Sequence, residues 1–138
     1  MTFSIVARVG DDYGVAVASR FIAVGSVVPS ARLGVGAIAT QAMAKMSYAS
    51  DGLALLAGGA TAADTVARLT SLDQGREERQ LGVVAPADQS TFTGRDCMDW
   101  AGGRWRGDVD DRVAERREVA GADGTGRISA PGSSSGCR

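Results

Sequence analysis

The stretch that most limits what this chain can fold into is its beginning. Thr2-Phe3-Ser4-Ile5-Val6-Ala7-Arg8-Val9 and Gly14-Val15-Ala16-Val17-Ala18-Ser19 are rich in Val, Ile and small residues, and they flank the turn cluster Gly10-Asp11-Asp12-Tyr13. Both runs alternate loosely with a period of two, so together they read as a β-hairpin. With Val9 opposite Gly14, Ser4 falls opposite Ser19 and Thr2 opposite Arg20-Phe21, within a residue or two. The first strand is therefore expected to begin beside Ser19 and Arg20.

That placement bears on chemistry, because Met1 precedes a small residue, the context in which an initiator methionine is usually trimmed. Trimming would leave Thr2 carrying a hydroxyl and a free α-amino group. A threonine activated by its own amine is a known nucleophile arrangement, and an amine titrating near ~7.7 is a competent base at neutral pH. Many chains begin Met-Thr without chemical consequence, so both readings stand at this point.

The composition narrows the alternatives through one absence: there is no histidine. That excludes a Ser-His-Asp triad, a Cys-His dyad and any histidine-ligated metal site within one chain. Proton transfer near neutrality is left to an α-amino group, a depressed lysine, a raised carboxylate or a perturbed cysteine, and Lys45 is the sole lysine. With 138 residues, 44% of them hydrophobic, the chain can build a core. A net charge of -1 and 5% aromatics argue against nucleic acid and against an anionic membrane as partners. No run of about 20 apolar residues reads as a membrane span. Cys97 and Cys137 are not spaced as metal ligands, and no secretory signal is apparent, so a soluble, reduced, cytoplasmic protein is expected.

Further along, Phe21 to Pro29 reads as a connector broken by Gly25 and Pro29, and Pro29 to Arg32 as a loop. Gly34-Val35-Gly36-Ala37-Ile38-Ala39-Thr40-Gln41 reads as a buried strand ending in two polar residues. The same run fits a relaxed dinucleotide fingerprint, G-x-G-x-x-A. No strand is expected before its glycines and no acidic ribose partner follows at the right distance, so no cofactor is assigned. Ser50 or Asp51 caps an apolar helix stopped by Gly58-Gly59. Thr61 with Asp64 caps a second helix, which ends near Leu72-Asp73-Gln74-Gly75 and uses Ala63, Val66, Ala67 and Leu69 or Thr70 as its apolar face. Gln80 to Ala85 and Ser90 to Gly94 read as strands around a turn at Pro86 to Gln89. Asp96, Cys97 and Asp99 fall in a loop, read as a solvated turn with no metal assigned.

The segments Thr2 to Arg8, Gly14 to Phe21, Ala23-Val24-Gly25, Val27-Val28-Pro29, Gly34 to Ala37, Ala39-Thr40-Gln41, Gln80 to Val84 and Phe92-Thr93-Gly94, with Gly52-Leu53, Leu55-Leu56, Cys97 and Trp100-Ala101-Gly102, resemble the family labelled domain of unknown function 1028. The resemblance covers roughly residues 2–103. It implies an α+β fold like that of the N-terminal-nucleophile hydrolases, an αββα sandwich of two antiparallel sheets between helix layers. In that architecture the nucleophile heads the first strand and polar strand ends complete the site. The matching positions are Thr2, Ser19 and Arg20 as catalytic candidates and Thr40 and Gln41 as oxyanion or substrate-binding candidates.

The resemblance stops after Gly103. Residues 104–138 are rich in Arg, Gly, Asp and Ser, with Val109, Val113, Val119 and Ile128 as their aliphatic residues. Such a segment buries too little to offset its ordering entropy, so it reads as an atypical, largely disordered tail on a truncated domain, with at most a short helix over Asp110 to Ala120. Two functions remain. One is a hydrolase of an amide or related acyl bond acting on a small-molecule or peptide substrate, either active or crippled by its altered C-terminus. The other is a non-catalytic binding or structural module that forms homo-oligomers through an exposed sheet.

Overall fold

A computed structural model of the chain describes residues 2–99, 101–106 and 116–122. The elements run β1 (Thr2–Val9), β2 (Asp12–Ser19), β3 (Pro29–Arg32), β4 (Gly36–Ala42), α1 (Ser47–Ala57), α2 (Ala62–Ser71), β5 (Arg79–Val84), β6 (Gln89–Thr93), β7 (Ala101–Arg106) and β8 (Arg116–Ala122). They form an α+β fold with two antiparallel sheets, ordered β2-β1-β8-β7 and β3-β4-β5-β6.

The N-terminal hairpin forms as the alternation demands, with a tighter turn than expected. Gly10 takes φ +60 and shares the turn with Asp11, so Val9 pairs with Asp12 and Thr2 with Ser19. A two-residue turn led by a positive-φ glycine matches the twist of the flanking strands. The shorter turn moves the register by two, and Thr2 lands opposite Ser19 itself.

The two-residue period then sorts β1 into two faces. Ser4 and Val6 are fully buried, whereas Phe3, Ile5 and Ala7 are only half-buried on the opposite face. Val6 joins Val28, Ala37, Ala39 and Val84 in a core between the stacked sheets, with Tyr13, Val15 and Val17 of β2 packed against it. The other face of β4 and β5 buries Ile38, Leu81 and Val83 against Tyr48 and Leu56 of α1 and Val66 and Leu69 of α2. The layers are thus helices, sheet, sheet. No helix covers the outer face of the β2-β1-β8-β7 sheet among the described residues.

Several local expectations change. Pro29–Arg32 is an edge strand rather than a loop, which suits proline because it needs no ladder donor there. Gly34 (φ +70) then sits in the β3–β4 turn and Gly36 begins β4, so the G-x-G-x-x-A run joins two strands and opens no helix. Helix α1 starts at Ser47, one turn before the expected cap. Helix α2 starts as expected, with Thr61 Oγ1 accepting the Asp64 N–H at 3.0 Å, but it buries Ala62, Thr65, Val66, Leu69 and Thr70 and leaves Ala63 and Ala67 exposed.

The largest difference lies past Gly103. Strand β7 runs through that position, and β8 occupies 116–122, where a helix over Asp110 to Ala120 was expected. The reason is backbone pairing rather than apolar pattern. Strand β1 offers a second edge of N–H and C=O groups, and β8 fills it with Phe3 opposite Gly121 and Ile5 opposite Val119. Residues 107–115 and 123–138, on which much of the expected tail falls, lie outside the described residues.

Candidate active site

Strand β1 delivers Thr2 to the end of the hairpin, and the register places Ser19 directly across from it. The Thr2 and Ser19 hydroxyl oxygens are 3.0 Å apart, within hydrogen-bond reach. Ser19 Oγ also accepts the Phe21 N–H at 3.1 Å, which fixes the serine where the chain leaves β2. Both hydroxyls border a cavity of about 660 Å³. Phe21, Val24, Val27, Val28 and Met43 form its apolar wall, and Arg20, Gln41 and Arg79 add polar groups. Arg20 is exposed, and no carboxylate pairs with it among the described residues.

Beneath Thr2 lies a buried polar chain that crosses between the sheets. Ser4 Oγ donates to Gln41 Oε1 at 2.8 Å, Gln41 Nε2 donates to Gln80 Oε1 at 3.1 Å, and Gln80 Nε2 reaches Thr93 Oγ1 and the Gly102 carbonyl, each at 3.3 Å. Gln41 Nε2 also approaches the Thr2 carbonyl at 3.5 Å. Gln41 therefore ties the start of β1 to β4 and β5. An amide with both ends engaged is what a buried glutamine requires.

Thr40 does not join this group. Adjacent strand residues face opposite sides, so Thr40 shares the face of Ile38, which packs on the helices, while Gln41 faces β1. Thr40 is fully buried, its hydroxyl has no hydrogen-bond partner among the described residues, and its N–H is committed to the Val28 carbonyl at 3.1 Å. Of the five expected site residues, Thr2, Ser19, Arg20 and Gln41 line one cavity and Thr40 lies outside it.

A second cluster holds the cavity's far wall. Asp73 accepts hydrogen bonds from Arg79 Nε at 2.6 Å, the Tyr48 hydroxyl at 2.6 Å and the Gly75 N–H at 3.1 Å, and Lys45 Nζ lies 3.5 Å away. Arg79 also donates to the Met43 carbonyl, which fastens the segment joining β4 to α1. Burial alone would raise the Asp73 carboxyl. The bonds from Arg79, Tyr48 and Gly75 outweigh it and hold the group well below the usual carboxylate range. Burial, and then the bond to Asp73, push the Tyr48 phenol well above its ordinary value. The bond to Asp73 likewise raises Arg79, so of the two arginines lining the cavity this one is already neutralised, and Arg20 is the one without a carboxylate partner among the described residues.

Sequence reasoning missed Ser4, Gln80 and the Asp73 cluster. Ser4 was within reach, since it is two residues from Thr2 and must share its face. The Asp73 cluster draws on the β4–α1 segment, α1, the loop after α2 and β5, and no spacing rule joins these. Cys97 lies in the loop before β7, and burial pushes its thiol up, away from the thiolate form a nucleophile needs.

Fold and site together define an α+β protein of two stacked antiparallel sheets, with a hydroxyl pair at the open end of its first hairpin. The chain belongs to the family of unknown function DUF1028, whose family model matches residues 2–110, extending past the Gly103 limit expected from sequence. It is similar to the crystal structure of protein SPO2555 from Silicibacter pomeroyi, of the same family, with a TM-score of 0.73 and 29% sequence identity over 86% of this chain and 54% of that one. The chain thus spans about half the length of that relative. No curated protein matches. No helix among the described residues is long and apolar enough to cross a membrane.

Proposed function

We propose that this chain is a hydrolase of the N-terminal-nucleophile type, acting on an amide or related acyl bond, with a sandwich fold of that class and with Thr2 as nucleophile once Met1 is removed. The observation that carries this reading is the Thr2–Ser19 hydroxyl pair at 3.0 Å on the wall of a cavity large enough for a small molecule or peptide segment. Thr2 Oγ attacks the substrate carbonyl carbon, and its proton passes to the Thr2 α-amine. The C–N or C–O bond to the leaving group then breaks, the amine returns the proton to that group, and water hydrolyses the acyl-threonine by the same route. Ser19 orients the attacking hydroxyl. Arg20, which lines the same cavity, favours the neutral form of the amine or binds an anionic substrate group.

The test joins intact mass with chemical labelling. A Met1-free sample treated with a β-lactone is expected to gain one acyl group on Thr2, and Ser19→Ala is expected to slow that gain by about 10²-fold. A folded, Met1-free protein that gains no mass sinks the proposal, and so does retention of Met1 in an active sample.

One observation favours a second reading, a binding module that self-associates. Ala16 and Ala18 are exposed beside half-buried Phe3, Ile5 and Ala7 on the outer face of the first sheet. Sedimentation across a concentration series tests it, and a mass-invariant monomer rules it out.

A further inference from the structure

The oxyanion donor expected near Thr40 and Gln41 has to be sought elsewhere, because the Thr40 N–H is already spent on Val28. The register shows where the next one lies. Met43 sends its N–H to Glu78 of the β5 side at 3.1 Å, so odd-numbered residues here donate toward β5 and even-numbered ones toward β3. The next N–H on the β3 side belongs to Ala42. Continuing the pairing of Pro29 with Ala39, its partner would be Ser26, but residues 24–26 have already wound into a turn of 3-10 helix. Ala42 is left with no acceptor for its N–H among the described residues, and it lines the same cavity as Thr2.

The backbone conformation is a separate sign. Ala42 takes φ +65, a left-handed conformation that is unfavourable for a residue with a Cβ. Strained backbone of this kind persists where the surroundings over-determine it, and it concentrates at sites of chemistry. Here the restraint is visible, since Arg79 grips the next carbonyl, that of Met43.

We infer that the Ala42 N–H is the oxyanion donor of the Thr2 site, a role that rests on the hydrolase reading above. When Thr2 Oγ bonds to the substrate carbonyl carbon, the carbonyl π pair moves onto oxygen, and the Ala42 N–H donates to that oxygen until the leaving-group bond breaks. Its worth is realised in the transition state, where negative charge develops.

The experiment replaces residue 42 with L-lactic acid in the full chain, which turns one amide into an ester and deletes the N–H while leaving the side chain and φ preference intact. Acylation of Met1-free protein by a β-lactone is then followed by mass. The expected result is a 10²–10³-fold lower maximal acylation rate with an unchanged half-saturating concentration. A folded lactate variant that acylates within about threefold of the parent overturns the assignment, as does a loss confined to the half-saturating concentration. If the Met1-free parent itself fails to react, the hydrolase reading falls and takes this assignment with it. Parent reactivity with an unaffected lactate variant removes this assignment alone.

Discussion

Gln41 engages three neighbours at once: it accepts from Ser4 and donates to Gln80 and to the Thr2 carbonyl. Replacing it with leucine keeps much of the volume but removes the bond to Ser4 and takes from the buried Gln80 Oε1 its Gln41 donor. Gln41→Leu is expected to lose about 1–3 kcal/mol in urea denaturation, the cost of leaving a buried acceptor unsatisfied. Gln80→Leu alone should cost less, since Gln41 would still hold Ser4. At this scale the sequence was informative wherever one rule sufficed. The start of β1 could be placed beside Ser19 and Arg20, two residues off the observed register, because a turn fixes hairpin register only to within its own length. Thr40 was misplaced because a strand's period sends 40 and 41 to opposite faces, and only the packing of Ile38 on α1 reveals which face belongs to which sheet.

At the scale of elements, junctions carry the tightest constraints. A Cβ on Gly94, just after β6, would collide with the Glu77 carbonyl oxygen, so Gly94→Ala must push two backbones apart. A loss of about 3 kcal/mol is expected by thermal or urea unfolding, with the shift concentrated in protection of the β5–β6 amides. The Asp73 cluster makes a pH-dependent joint between α1, α2 and β5. Its folded carboxyl lies below the unfolded value of about 3.9, so its contribution is fully present above that value and disappears as pH falls through it toward the folded one. The melting temperature is expected to drop as pH is lowered from about 5, and Asp73→Asn, itself destabilised by about 3 kcal/mol through unpaired Arg79, should flatten that slope. Caps were legible here, as Thr61 shows, because they act over three residues. The β8 strand was not, because its apolar content is slight and its partner lies at the far end of the chain.

For the whole molecule, the layering leaves one sheet face without a helix among the described residues, while the chain has about half the length of its solved relative. Ala18→Lys places a charge on that face beside the Phe3 pairing position. If self-association uses the face, sedimentation should shift toward monomer, with Thr2 acylation unchanged.

Strand β1 is paired on one side with a neighbour a few residues away and on the other with β8, where Phe3 meets Gly121 more than a hundred residues along. During synthesis the hairpin can therefore close within moments of leaving the ribosome, while its second edge waits for nearly all of the described chain to emerge. For that interval the strand bearing Thr2 belongs to an unfinished sheet. The arrival of β8 thus sets the time at which β1 gains its second neighbour.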